Sequence, residues 1–141
     1  MEKVAVVTGT SSGIGFETAL ALAREGYYTY ATMRNTAKGD KLKELSSKES
    51  LKIDVLELDV DNENSAKTAI KHILDQKQRI DVLVNNAGYG YFGSVESTSI
   101  DEFKEQFETD FYGAVRTIQN AIPIMREQKS IGHIINISSV A

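Results

Sequence analysis

Apolar and polar positions along the chain switch between two periods, and the switches come in a regular order. Lys3 to Thr8 is a short β-branched run that breaks at once into a glycine-rich turn, and Ile14 to Glu25 then carries Ala, Leu and Ile at helical spacing up to Gly26. Tyr27 to Met33, rich in Tyr and Thr, predicts a second strand, and Asp40 to Leu45 a short, weakly apolar helix. Ile53 to Val60 predicts a third strand. Ala66, Ala69, Ile70, Ile73 and Leu74 then share one face of a helix over Asn64 to Gln76, with Asn62 or Asn64 as its N-cap. Ile80 to Val84 predicts a fourth strand, which runs into Asn85-Asn86-Ala87-Gly88. Past a glycine- and aromatic-rich loop, Ser99 and Glu102 have the spacing of a capping box. The helical pattern continues from there towards Gln128, with a break near Asp110 and a bend at Pro123. Ile131 to Ser138 predicts a fifth strand.

Strands that alternate with helices imply right-handed crossovers, and so a parallel sheet covered on both faces: the fold class is α/β, doubly wound. Neither an internal repeat nor a low-complexity segment nor a linker divides the 141 residues, which read as one domain.

Composition acts mainly by exclusion. With 41% hydrophobic and 26% charged residues the chain has the make-up of an ordinary globular protein. It has no Cys, which removes disulfides, thiolate catalysis and Cys-ligated metal, and its two histidines, His72 and His133, are too far apart in sequence to suggest a metal site. A formal net charge of -4 argues against nucleic acid or an anionic membrane as partner, since a polyanion needs a basic face. Met1 to Thr8 enters a strand at once, without signal-peptide character, and no apolar run is long enough to span a bilayer, so the expected location is cytoplasmic.

The turn Thr8-Gly9-Thr10-Ser11-Ser12-Gly13-Ile14-Gly15 stands between the first strand and the first helix, where a doubly wound sheet seats a phosphate on a helix N-terminus. Glycines let backbone N–H groups approach a pyrophosphate, and Thr10, Ser11 and Ser12 offer further donors. A P-loop is excluded because no Lys follows the glycines. At the end of the second strand a carboxylate would accept from a ribose 2′-hydroxyl and a cation would neutralise a 2′-phosphate; the residues are Met33-Arg34. Lys38 and Lys41 follow, either as added positive field or as a solvated helix face.

The spacing Gly-x-x-x-Gly-x-Gly, with Asn85-Asn86-Ala87-Gly88, Asp59-Val60 and Ile134 to Ser139, resembles the short-chain dehydrogenase/reductase family in motif order over essentially the whole chain. The resemblance implies a Rossmann-type sheet of about five strands and a nicotinamide cofactor, with NADP(H) preferred and NAD(H) admissible. It implies a cofactor site made of Gly9, Thr10, Ser11, Ser12, Gly13, Ile14, Gly15, Arg34, Asp59, Val60, Asn86, Ala87 and Gly88. Asp59 and Val60 would stand against the adenine ring, and Ser139 would be the catalytic serine. Asp110 falls where the family carries an Asn that positions a water for proton relay; Asp lacks the NH₂ donor, and a plain helix-surface acid is the competing reading.

The implied reaction is hydride transfer between a secondary alcohol and a ketone, on a small alcohol or carbonyl substrate of apolar character; Tyr89, Tyr91 and Phe92 either border its cleft or pack the loop. The family's general acid, a Tyr with a Lys one helical turn later, follows the serine, and no such pair stands in these 141 residues. The helical near match, Tyr112 to Arg116, precedes the serine and offers an Arg that cannot join a proton relay. The expectation is therefore the cofactor-binding portion of a longer catalytic domain, cut after the fifth strand and inactive alone, or else an NADP(H)-binding module without turnover. An exposed fifth strand would favour homo-oligomers or other association through its edge.

Overall fold

A computed structural model describes residues 1–139. Five strands form one parallel sheet: β1 (Val4–Val7), β2 (Tyr28–Met33), β3 (Ile53–Glu57), β4 (Val82–Asn85) and β5 (His133–Asn136), in the order β3-β2-β1-β4-β5. The connections are α1 (Gly13–Arg24), a 3₁₀ turn (Thr36–Gly39) running into α2 (Asp40–Glu49), α3 (Glu63–Lys77), and α4 (Ile100–Phe107) joined to α5 (Ala114–Glu127) by a π-helical turn (Glu108–Gly113). This is the doubly wound α/β arrangement that the alternating pattern implies.

The sheet centre is apolar on both sides. Val4, Ala5, Val6 and Val7 of β1 are all fully buried. Ala5 and Val7 meet Phe16, Ala19 and Leu20 of α1 and Leu42 of α2, while Val4 and Val6 meet Ile70 and Ile73 of α3 and Ala121 and Ile124 of α5. Each large side chain buried this way contributes about 1.5–3 kcal/mol. Coverage fails at β5, whose four residues are all exposed although Ile134 and Ile135 are apolar.

Several boundaries move for local reasons. β3 stops at Glu57 rather than Val60, because Leu58 makes the last bond to β2 and the chain then turns; Leu58 and Val60 pack with Ala69 of α3. α2 runs on to Glu49, held by the Arg24–Glu49 ion pair and closed by Ser50 in the left-handed region at φ 54°. Asn62, not Asn64, caps α3 by accepting from the Ser65 N–H. Pro123 sits inside α5 without ending it. β5 spans four residues rather than the eight of Ile131 to Ser138. Among the described residues no helix is long and apolar enough to cross a membrane.

The end of the sheet away from the glycine-rich turn is tied by one buried carboxylate. Asp81 accepts from the Val4 N–H at 2.7 Å and from the Arg79 guanidinium at 2.8 and 2.5 Å. Burial opposes its ionisation, but the Arg79 guanidinium and the Val4 N–H hold its carboxyl below the ordinary value. Asp81→Asn leaves Arg79 short of its counter-ion and is expected to cost about 3 kcal/mol in urea unfolding. Because the native pKa is lowered, this stabilisation is complete above about pH 4, the ordinary aspartate value, and disappears as pH falls through the lower native one. The wild-type advantage over Asp81→Asn should therefore shrink in unfolding curves below about pH 4.

Candidate functional site

The sheet order reverses between β1 and β4, and a crevice opens at the carboxyl ends of these strands. Two turns form its floor. After β1 the chain passes through Thr8, Gly9 (φ 67°) and Thr10 to Ser11, Ser12 and Gly13 (φ 62°), where α1 begins. After β4 it passes through Asn86, Ala87 and Gly88.

The turns are latched by side chains. Asn86 Nδ2 donates to the carbonyls of Thr8 at 3.1 Å and Gly9 at 3.0 Å. Thr8 Oγ1 in return accepts from the N–H groups of Asn86 and Ala87, both at 3.0 Å. No side chain fits between them: a Cβ on Gly9 would stand 2.7 Å from Ala87 Cα, and one on Gly15 would overlap Asn86 Nδ2 and the Gly9 carbonyl. Asn85 faces the other way. Its Nδ2 donates to Asn136 Oδ1 at 2.9 Å and its Oδ1 accepts from Thr117 Oγ1 at 2.5 Å, tying β4 to β5 and α5.

Above this floor lies a cleft of about 750 Å³. Gly9, Ser11, Ser12 and Ile14 line it from the first turn, Met33 and Arg34 from the end of β2, Leu58 to Asp61 from beyond β3, and Asn86 to Tyr89 from the second turn. Glu105, Glu108 and Thr109 close the side formed by α4 and the π turn. The donor set suits a dinucleotide. Ser12 precedes α1 without capping it through its side chain, and the first turn of α1 carries no acid, so its N-terminal field is left for an anion.

Most of the sequence-derived cofactor residues thus converge on one cleft, and the exceptions have physical reasons. Thr10 is fully buried and donates through both its N–H and its hydroxyl to the Thr32 carbonyl, each at 3.1 Å. Its expected role as a phosphate donor is corrected: it anchors the turn to β2. Gly13 and Gly15 shape the turn without lining the cleft.

Asp110 stands in the π turn, so the expected helix break is a local widening. Its Oδ1 accepts from the Tyr89 N–H at 3.0 Å and is the first atom a Cβ on Gly88 would meet, at 2.7 Å. The carboxylate braces the turn after β4 and is not among the cleft-lining residues. Ser139, exposed and three residues past β5, does not line the cleft either. Arg116 is engaged with the Val60 carbonyl and with Glu108, which removes it as a partner for Tyr112. The hydrogen bond from Tyr91 to Glu105 pushes that phenol's pKa up, so Tyr91 is a poor acid near neutrality.

Sequence reasoning missed Asp61. One carboxylate oxygen accepts from Thr109 Oγ1 at 2.9 Å and the other is buried without a partner among the described residues. Its only sequence signal was its place directly after Asp59-Val60.

The comparisons agree with this geometry. The family model described as short chain dehydrogenase matches residues 3–141. A Helicobacter pylori protein named "Probable short-chain type dehydrogenase/reductase VdlC" is 37% identical over 138 residues, which are 98% of this chain and 48% of the relative. The 3-ketodihydrosphingosine reductase of Bacteroides thetaiotaomicron is 36% identical over 98% of this chain and 47% of its own length. A metagenomic short-chain oxidoreductase, solved in complex with NADP, superposes with a TM-score of 0.91 at 31% identity, covering 99% of this chain and 63% of that one. The chain spans about half the length of these curated relatives.

The latch makes a sharp test. Asn86→Ala strands two carbonyls and is expected to cost about 1–3 kcal/mol in chemical denaturation. Asn86→Asp should cost more, because a carboxylate can only accept and would face two carbonyl oxygens; an aspartate variant as stable as wild type would refute the latch.

Proposed function

Because the chain belongs to the short-chain dehydrogenase family, we propose that it forms the cofactor-binding part of an NADP(H)-dependent oxidoreductase that interconverts a secondary alcohol and a ketone. The observation that carries this reading is the cleft at the β1/β4 reversal, with its glycine floor on one side and Arg34 on the other.

Bound there, the dinucleotide would supply the hydride. The turn from Gly9 to Gly15 holds the pyrophosphate, with backbone N–H groups, Ser11 and Ser12 as donors. Asp59 and Val60 flank the adenine, while Asn86, Ala87 and Gly88 line the nicotinamide side. Arg34 meets the 2′-phosphate. It is exposed and has no carboxylate within ion-pair distance among the described residues, and a planar guanidinium suits a phosphate fork. A neighbouring fold that was solved with NADP supports the same choice. NAD(H) fits the same cleft with less affinity.

Ser139 is assigned the polarisation of the substrate carbonyl, and Asp110 the bracing of the turn beside the nicotinamide pocket. Tyr89 in the cleft wall, with Tyr91 and the 97% exposed Phe92 beyond it, gives the substrate side an apolar border. That border suits an apolar substrate, in line with the name of the Bacteroides relative. No Tyr-x-x-x-Lys pair occurs in the 141 residues. These residues alone are therefore expected to bind cofactor without turnover; a binding module is the second reading.

NADPH is expected to raise the melting temperature more than NADH at equal concentration. Arg34→Ala should cut the NADPH-to-NADH affinity ratio roughly tenfold, the worth of one charge-assisted contact. Tighter NADH binding, or an unchanged ratio in Arg34→Ala, would sink the NADP(H) assignment, and ketone-dependent NADPH oxidation by these residues would overturn the account of the acid.

The exposed edge of β5, with Ile134, Ile135 and Ile137 at 37, 45 and 41% exposure, is proposed to pair with a second chain. Sedimentation velocity should then show concentration-dependent association that Ile135→Lys reduces; a sharp monomer boundary at all concentrations contradicts it.

A further inference from the structure

A second hollow, of about 720 Å³, runs along the outer side of α1 and carries Lys41 of α2 on its wall. It shares Ser11, Ser12 and Ile14 with the nucleotide cleft, so the two hollows meet over one rim. Arg34 stands on the cleft side of that rim and Lys41 on the other.

Lys41 Nζ lies 5.2 Å from the ring centre of Phe16, the fourth residue of α1. Ser12 and Gly13, at the positive end of the α1 dipole, line the same hollow as this ammonium, and that end of a helix favours an anion over a cation. Neither an acid in the first turn of α1 nor a side-chain cap on Ser12 offsets that preference. Glu17 is the one carboxylate lining this hollow, and no ion pair joins it to Lys41 among the described residues. Lys43, two residues on, is paired with Asp40 at 3.7 Å. Among the described residues neither Arg34 nor Lys41 has a carboxylate within ion-pair distance, and the hollows they line share Ser11 and Ser12, in a chain of net charge -4.

We infer that Lys41 is a second cation of the 2′-phosphate subsite, acting with Arg34 across the Ser11–Ser12 rim, and is a specificity-determining residue for NADP(H) over NAD(H). The inference rests on the NADP(H) reading above. A phosphate monoester at the rim carries close to two negative charges at neutral pH, enough to engage a guanidinium from one side and an ammonium from the other. The cation–π contact with Phe16 keeps the lysine stem folded against α1, which lowers the entropy lost when the phosphate arrives.

The test is fluorescence titration of the 141-residue protein with NADPH and NADH. Lys41→Gln should raise the NADPH dissociation constant about three- to tenfold and leave that of NADH unchanged; Lys41→Arg should retain the preference, and Lys43→Gln should alter neither constant. A Lys41→Gln protein whose NADPH-to-NADH ratio stays within twofold of wild type overturns the inference, and so does an equal effect of Lys43→Gln, which would mark a diffuse field. If Arg34→Ala still collapses the ratio in those cases, the NADP(H) reading survives without Lys41. If Arg34→Ala leaves the ratio intact as well, both fall together.

Discussion

The cleft at the β1/β4 reversal depends on how closely two backbone turns approach one another. Gly9 lies against Ala87, and Gly15 lies against Asn86 and the Gly9 carbonyl, with no space for a Cβ at either position. That contact leaves the Thr8 and Gly9 carbonyls facing a neighbouring chain segment and not water, and Asn86 supplies the two donors they need. A buried carbonyl without a partner costs about 1–3 kcal/mol, so the amide is a condition of the close approach. With the turns locked, α1 begins at a fixed point and its N-terminus faces the cleft.

The parts of this arrangement that were legible in the sequence are those governed by local rules. The β-branched run before Gly9, the apolar face of α3 and the Ser99/Glu102 capping box each depend on near neighbours, and each forms. The glycine-rich turn and Asn85 to Gly88 were legible as motifs, and they meet at the cleft floor. What depended on distant partners was not legible. Thr10 looks like a phosphate donor in a list of hydroxyl residues, but the carbonyl that claims it, on Thr32, lies 22 positions away. The end of β3 is set by packing of Leu58 and Val60 on Ala69 of α3, which no strand propensity encodes. Asp61 carries a signal only once Thr109 is seen opposite it.

Charge is distributed as unevenly as shape. Asp59, Asp61, Glu105 and Glu108 border the cleft, with Glu108 paired to Arg116, while Arg34 stands at the end of β2. Arg34 is thereby the one cationic side chain among the described residues that line the cleft, and its field extends to about a Debye length of 8–10 Å. The net negative charge of the chain leaves this local polarity intact, because screening makes the nearest charges dominate.

The pairing of β1 with β4 also bears on how the molecule assembles. The hydrogen bonds from Asn86 and Ala87 to Thr8 join residues 78 and 79 positions apart, and the β1–β4 register spans a similar distance. Loop-closure entropy must be met before such contacts contribute anything, so they belong to the late, slow part of folding. The cradle cannot pre-exist in a fragment or an early intermediate, because half of it arrives with β1 and half with β4. A ligand that fits the assembled cleft would consequently stabilise the whole span from β1 to β4 as one cooperative unit, by mass action on the fully assembled state.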